Sequence, residues 1–167
     1  MKIDFFQNTC SEAERKDDLF GICDEEGKSV AFTDTLYPKK WIAEVINKDK
    51  LAIKFTAIDH CLKIHKQGTK DDESTCDGML TFDKHLYLVE LKNQGVGGWV
   101  TDAIQQLSNS IRLLKEYNST EIEAFQFKKA YACNRKHPRF QTIDSQRKKK
   151  FFDQTGFRLH VGAEIKT

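Results

Sequence analysis

Residues 86–134 constrain the fold more than any other part of this chain. The segment LYLVELK (86–92) alternates with a period of two. Leu86, Leu88, Glu90 and Lys92 share one face, and Tyr87, Val89 and Leu91 share the other. A glycine-rich stretch, 93–98, follows. In Trp99–Tyr117 the period changes: Val100, Ile104, Leu107, Ile111 and Leu114 recur every three to four residues, as one stripe of an amphipathic helix. Residues 124–134 then read as a strand again. A two-residue turn can join only antiparallel neighbours, whereas a helical crossover joins parallel ones. This passage therefore predicts an α/β fold, a mixed central sheet flanked by helices.

The flanking sequence adds elements to that unit. Residues 79–82 form a strand that reaches 86–92 through the turn Asp83-Lys84-His85. Residues 51–64 alternate for much of their length and predict one strand, or two strands broken near Asp59-His60. These strands make a meander at one side of the sheet. Residues 39–47 follow Pro38 and predict a short helix with Trp41, Ile42, Val45 and Ile46 as its apolar side. Residues 19–23 and 28–32 flank Asp24-Glu25-Glu26-Gly27 as a hairpin. Polar residues 66–75 read as a loop. Ser145–Thr155 predicts a basic helix stopped by Gly156, and 157–163 a last strand.

At 167 residues the chain predicts one domain, with a hairpin extension at 1–37, a core at about 39–134 and a basic helix and strand at 145–163. No apolar run reaches membrane-span length, and the N-terminus lacks a signal peptide's apolar stretch, so a cytoplasmic protein with no membrane contact is expected. Five cysteines, odd in number and without CxxC spacing, predict neither a zinc site nor a disulfide framework. Charge is unevenly placed. Residues 1–37 hold nine acids against four Lys/Arg, and 126–150 hold nine Lys/Arg against one acid, so a polyanion is expected to meet the basic half. The alternative is a solvated basic helix face.

The chemistry gathers at residues 76–94. If 79–82 and 86–92 pair antiparallel, Asp77 lies at the same end as Glu90 and Lys92, so two carboxylates and one ammonium converge at a strand end. Two carboxylates can hold a hard divalent cation such as Mg2+ by their oxygens, and the Leu91 carbonyl can add a ligand. Such an ion polarises a phosphoryl oxygen and acidifies a bound water. Lys92 can orient that water or stabilise developing charge. Without chemistry, Glu90 and Lys92 are a strand end meeting solvent and Asp77-Gly78 is a turn.

Asp77, followed thirteen residues on by Glu90-Leu91-Lys92, resembles the signature of the PD-(D/E)XK nuclease superfamily, which has a restriction-endonuclease-like fold. The resemblance covers roughly 39–134. It implies a divalent-metal-dependent deoxyribonuclease, with Asp77 and Glu90 as metal ligands, Lys92 as the catalytic lysine, Mg2+ as the usual metal (Mn2+ a substitute) and DNA as the usual substrate. Cys76 stands where the family has proline. Some members use a glutamate of the first core helix; Glu44 is the candidate, although it lies away from that helix's apolar stripe. Others carry a glutamine in the following helix with a tyrosine four residues later. Gln105 and Gln106 sit in that helix, but Asn109 and Ser110 stand four residues on. Gln106, beside the buried stripe, is the better placed, with a surface glutamine as the alternative.

Several residues extend the expected DNA contact. Asn93, Gln94 and the glycine loop follow Lys92 and predict either a DNA-facing loop or a plain connector. Trp99 is expected either to stack on a base or to join the core. Arg135, Lys136 and Arg139 form a basic loop able to neutralise phosphates, and Lys148 in the run 147–150 extends the track. His137 beside them is a candidate to assist the chemistry. By analogy, a small nuclease of this kind suits restriction or phage defence, with a homodimer or a partner protein subunit to choose its target. The alternative is a non-catalytic subunit of the same fold that binds nucleic acid or docks a protein.

Overall fold

The computed structural model describes residues 3–28, 30–95, 97–136 and 143–167. The central layer is a five-stranded sheet. β4 (Lys54–Ala57), β5 (Gly78–Phe82) and β6 (His85–Lys92) form the antiparallel meander, and β7 (Phe127–Asn134) and β8 (Arg158–Val161) add in parallel, in the order β4-β5-β6-β7-β8. The crossovers are α1 (Trp99–Tyr117), with the short α2 (Ser119–Glu123) after it, and α3 (Ser145–Thr155). α3 begins where the Asp144 carboxylate accepts a hydrogen bond from the Arg147 N–H at 2.7 Å, and ends at Gly156, whose positive φ of 78° suits a residue without a Cβ.

A second sheet holds β1 (Leu19–Cys23), β2 (Phe32–Asp34), β3 (Ala43–Ile46) and β9 (Glu164–Lys166), in the order β2-β1-β3-β9. Burial assigns the layers. Met79, Leu86, Leu88, Ala130, Ala132 and Leu159 pack with Leu107, Ile111 and Leu114 of α1 and Phe151 of α3. Leu80, Tyr87, Val89, Leu91 and Tyr131, on the opposite face, pack with Phe20, Ile22, Val45 and Ile165 of the second sheet. The alternation of β6 thus serves two cores.

Three expectations are corrected. Residues 39–47 are not a helix. A single 3-10 turn, Pro38–Lys40, gives way to β3, in which Ala43 and Val45 are buried and Glu44 and Ile46 less so. The Trp41-Ile42/Val45-Ile46 spacing looked helical, but pairing with β1 selects the period-two alternative offered by Ala43 and Val45. The second hairpin arm lies at Phe32–Asp34, later than 28–32, and β9 was not anticipated. Cys10 and Cys61 form a disulfide, while Cys23, Cys76 and Cys133 are free and buried. Disulfides are rare in reducing compartments, so the cysteines no longer support a cytoplasmic setting. Among the described residues no helix is long and apolar enough to cross a membrane.

Candidate active site

β5 and β6 bring the acids together. Gly78 pairs with Val89, so Asp77 stands beside Glu90, one step beyond the last pair and on the same face. Asp77 Oδ2 accepts the Leu91 N–H at 2.6 Å. In an extended strand one residue's N–H and C=O project to the same side, so the Leu91 carbonyl also faces the edge that β5 leaves open beside Asp77. An added Cβ at Gly78 would come 2.5 Å from the Phe55 ring and 2.9 Å from the Thr56 carbonyl, so a larger residue there forces a shift.

Lys92 is held from two sides. Its Nζ lies 2.8 Å from Glu90 Oε1 and donates to Gln106 Oε1 at 2.6 Å. Gln106 in turn donates its Nε2–H to the Thr75 carbonyl at 3.2 Å. Gln106 therefore positions the lysine. Ser110, one turn further along α1, accepts the Cys76 N–H at 2.7 Å and donates to the Gln106 carbonyl at 2.9 Å. Both helix residues act on the segment that presents Asp77. Sequence reasoning missed Thr75 and Ser110; the only signal was a serine on the helix's apolar side.

Glu90 is 2 % exposed, and its Oε2 receives no N–H donor among the described residues, leaving the neighbouring Asp77 carboxyl as its side-chain hydrogen-bond partner when one of the two acids is protonated. Burial first, then the neighbouring Asp77 charge, holds its pKa well above the ordinary carboxyl value, with Lys92 opposing. Burial also pushes Asp77 up to about 7, against the Leu91 N–H and with the help of Asp24. Two crowded acids and an oxygen without an N–H donor make a set that a cation would relieve, and hard oxygen donors fit Mg2+ or Mn2+. Among the described residues no group of three or more His, Cys, Asp or Glu is placed to hold a metal ion, so the donors on hand are two carboxylates and a carbonyl. Cys76 and Cys133 are not nucleophiles here, because burial pushes both thiols up.

The site opens into a cleft of about 410 Å3 that Asp77 and Asn93 line with Asp24, Glu25, Asp59 and His60. The β1–β2 turn is thus part of the site's wall. The expectation of a separate hairpin extension gave no place to these acids, although their charge run was visible. No match to the chain is found among protein-family models, curated proteins or solved structures.

The remaining expected residues divide. Gln94 is exposed, and its carbonyl accepts from buried Asn134 at 2.9 Å. Arg135 and Lys136 are exposed at the end of β7, where the Arg135 N–H reaches the Lys92 carbonyl at 3.3 Å. Trp99 is 1 % exposed and belongs to the core. Glu44 is not brought to the acids. It sits in the second sheet opposite Gly21 and Glu164 and lines a different cleft of about 630 Å3. Lys148 lies on α3 beside β8, in a further cleft. Arg139 and His137 lie outside the described residues.

Proposed function

We propose that the protein is a divalent-metal-dependent nuclease that hydrolyses phosphodiester bonds in DNA. The observation that carries this reading is the Asp77–Glu90–Lys92 set, with buried Glu90 between half-buried Asp77 and Lys92 and no N–H donor on its Oε2 where β5 and β6 diverge. Asp77, Glu90 and the Leu91 carbonyl would hold Mg2+ or Mn2+, which supplies Lewis-acid activation of a phosphoryl oxygen and of water. Lys92, steadied by Gln106, orients the attacking water and offsets charge developing on the phosphate. Asn93 stands on the cleft wall where the strand would enter, and exposed Lys136 and Arg135, the latter on the wall of the neighbouring cleft with Glu44, would meet flanking phosphates. The acidic cleft repels a bare polyanion, so metal loading precedes productive DNA binding in this scheme.

Plasmid cleavage tests it directly. The wild type is expected to cut with Mg2+ or Mn2+ and to stop in EDTA. Asp77→Ala, Glu90→Ala and Lys92→Ala are each expected to lose about 10²-fold or more. Equal cutting by all four proteins excludes the mechanism.

A further inference from the structure

The free edge of β8 carries a cluster that the hydrolytic site does not use. Among the described residues, β8 ends the five-stranded sheet with a neighbour on one side only. The opposite edge strand, β4, is covered by the N-terminal segment through bridges of Ser11 to Thr56 and Arg15 to Ile53. At β8, two adjoining clefts, of about 350 and 510 Å3, share Phe152 and Arg158 in their walls. Lys148 and His160 line the first, and Phe127 and Lys129 the second. Phe127 and Phe152 are 45 % and 46 % exposed, two of the few large apolar side chains left to solvent.

The cations in this cluster act together on His160, and the Lys129 ammonium lies 5.0 Å from the Tyr87 ring centre. Among the described residues, neither Lys129, Lys148 nor Arg158 has a carboxylate at ion-pair distance (only Lys149 does, to Asp153). The His160 ring stacks on Tyr131 with centroids 4.9 Å apart, and its Nε2 is buried without a hydrogen-bond partner from the described residues. Burial, then Lys129, Lys148 and Arg158, all depress the His160 pKa. Like charges crowded around an orphaned donor or acceptor are costly alone and favourable around an anion. The Arg158 guanidinium lies 6.0 Å from the Phe152 ring centre, pairing a phosphate ligand with a flat apolar surface. Arg147 ties the first turn of α3 to Thr101 at the first turn of α1, at 2.7 Å, so Lys148 stands toward the end where α1 departs from Lys92. Lys129 pairs with Tyr87, about 16 Å before Lys92 along β6 at the usual strand rise.

We propose that this edge is a binding site for single-stranded nucleic acid, with phosphates on Lys148, Arg158 and Lys129 and unpaired bases on Phe152 and on the Phe127 face turned away from the stacked His85 ring. The exposed rings select a single strand, because paired bases present no face to stack. The proposal rests on the nuclease reading for its choice of nucleic acid over other polyanions, and it adds a track that carries a strand away from the cutting site.

The test is fluorescence anisotropy with a labelled DNA oligonucleotide of about 15 nucleotides, on the Asp77→Asn protein in EDTA, so that binding is read apart from cleavage. Arg158→Glu with Lys148→Glu is expected to weaken binding at least about tenfold and to flatten the log affinity–log salt slope by roughly 0.7 for each phosphate no longer neutralised. Phe152→Ser is expected to weaken it about tenfold with the slope unchanged. All three positions are exposed, and a thermal melt checks that the variants remain folded. Unchanged affinity and slope in the double variant overturns the proposal. So does equal binding of duplex, or displacement by poly-glutamate as effective as by unlabelled oligonucleotide, which would assign the edge to an acidic peptide. Failure of plasmid cleavage with these results intact would remove the nuclease reading and leave the binding site.

Discussion

At the scale of single residues, the paired acids set a pH dependence. Asp77 titrates near 7 in the fold and near 3.8 when free of it. The native state therefore holds more protons than the unfolded chain across that interval, and stability falls as pH rises through it. The shift at Glu90 has the same sign. Asp77→Asn removes the shifted Asp77 group. In EDTA its melting temperature is expected to exceed that of the wild type at pH 8, by roughly 3 °C per kcal/mol relieved, and to lose most of that advantage at pH 4. Metal competes with those protons, so Mg2+ affinity is expected to rise on titration calorimetry as pH climbs through the raised Asp77 value, by about tenfold per pH unit below it and levelling off above. Gln106 belongs at this scale too. Gln106→Ala leaves the Lys92–Glu90 pair but frees the lysine from its second tether, so cleavage is expected to fall, yet less than the roughly 10²-fold or greater loss in Lys92→Ala.

At the scale of elements, α1 clamps the start of β5 through Ser110. Ser110→Ala leaves the buried Cys76 N–H without an acceptor and is expected to cost about 1–3 kcal/mol in urea denaturation. It also loosens the Asp77 segment, so activity should drop at temperatures where the variant is still folded. In the second sheet, Gly21 lies under the Trp41 indole, whose Nε1–H donates to Asp34 at 2.7 Å. A Cβ there would meet the ring at 1.9 Å, so Gly21→Ala is expected to destabilise by about 1–3 kcal/mol or more. The helix α1 and the strand β6 were legible from sequence because each keeps one period over its length, and the helix α3 because Gly156 stops a basic run. Asp77, Glu90 and Lys92 followed from that legibility, since the face of a strand is fixed by parity. Residues 39–47 were not legible, because their apolar spacing fits both periods and only the partner strand β1 decides between them. The acids of the β1–β2 turn were visible as charge but not as neighbours of Asp77, which needs the stacking of two sheets.

At the scale of the molecule, the Cys10–Cys61 bond closes a span of 51 residues and holds the N-terminal segment against the loop that carries Asp59 and His60. Cys61→Ser, or reduction of the wild type, is expected to lower stability by about 2–4 kcal/mol through the freer unfolded chain, read as a lower denaturation midpoint. The molecule is also knit together at its far end. β9 lies parallel to β3, with Ile165 fully buried, and the Thr167 N–H reaches the Ile46 carbonyl at 3.2 Å. Before residues 164–167 emerge from a ribosome, the nascent chain therefore displays β3 as a naked edge and leaves an apolar socket empty. A version trimmed at 163 should precipitate during expression, where the same chain carried through Thr167 stays in solution.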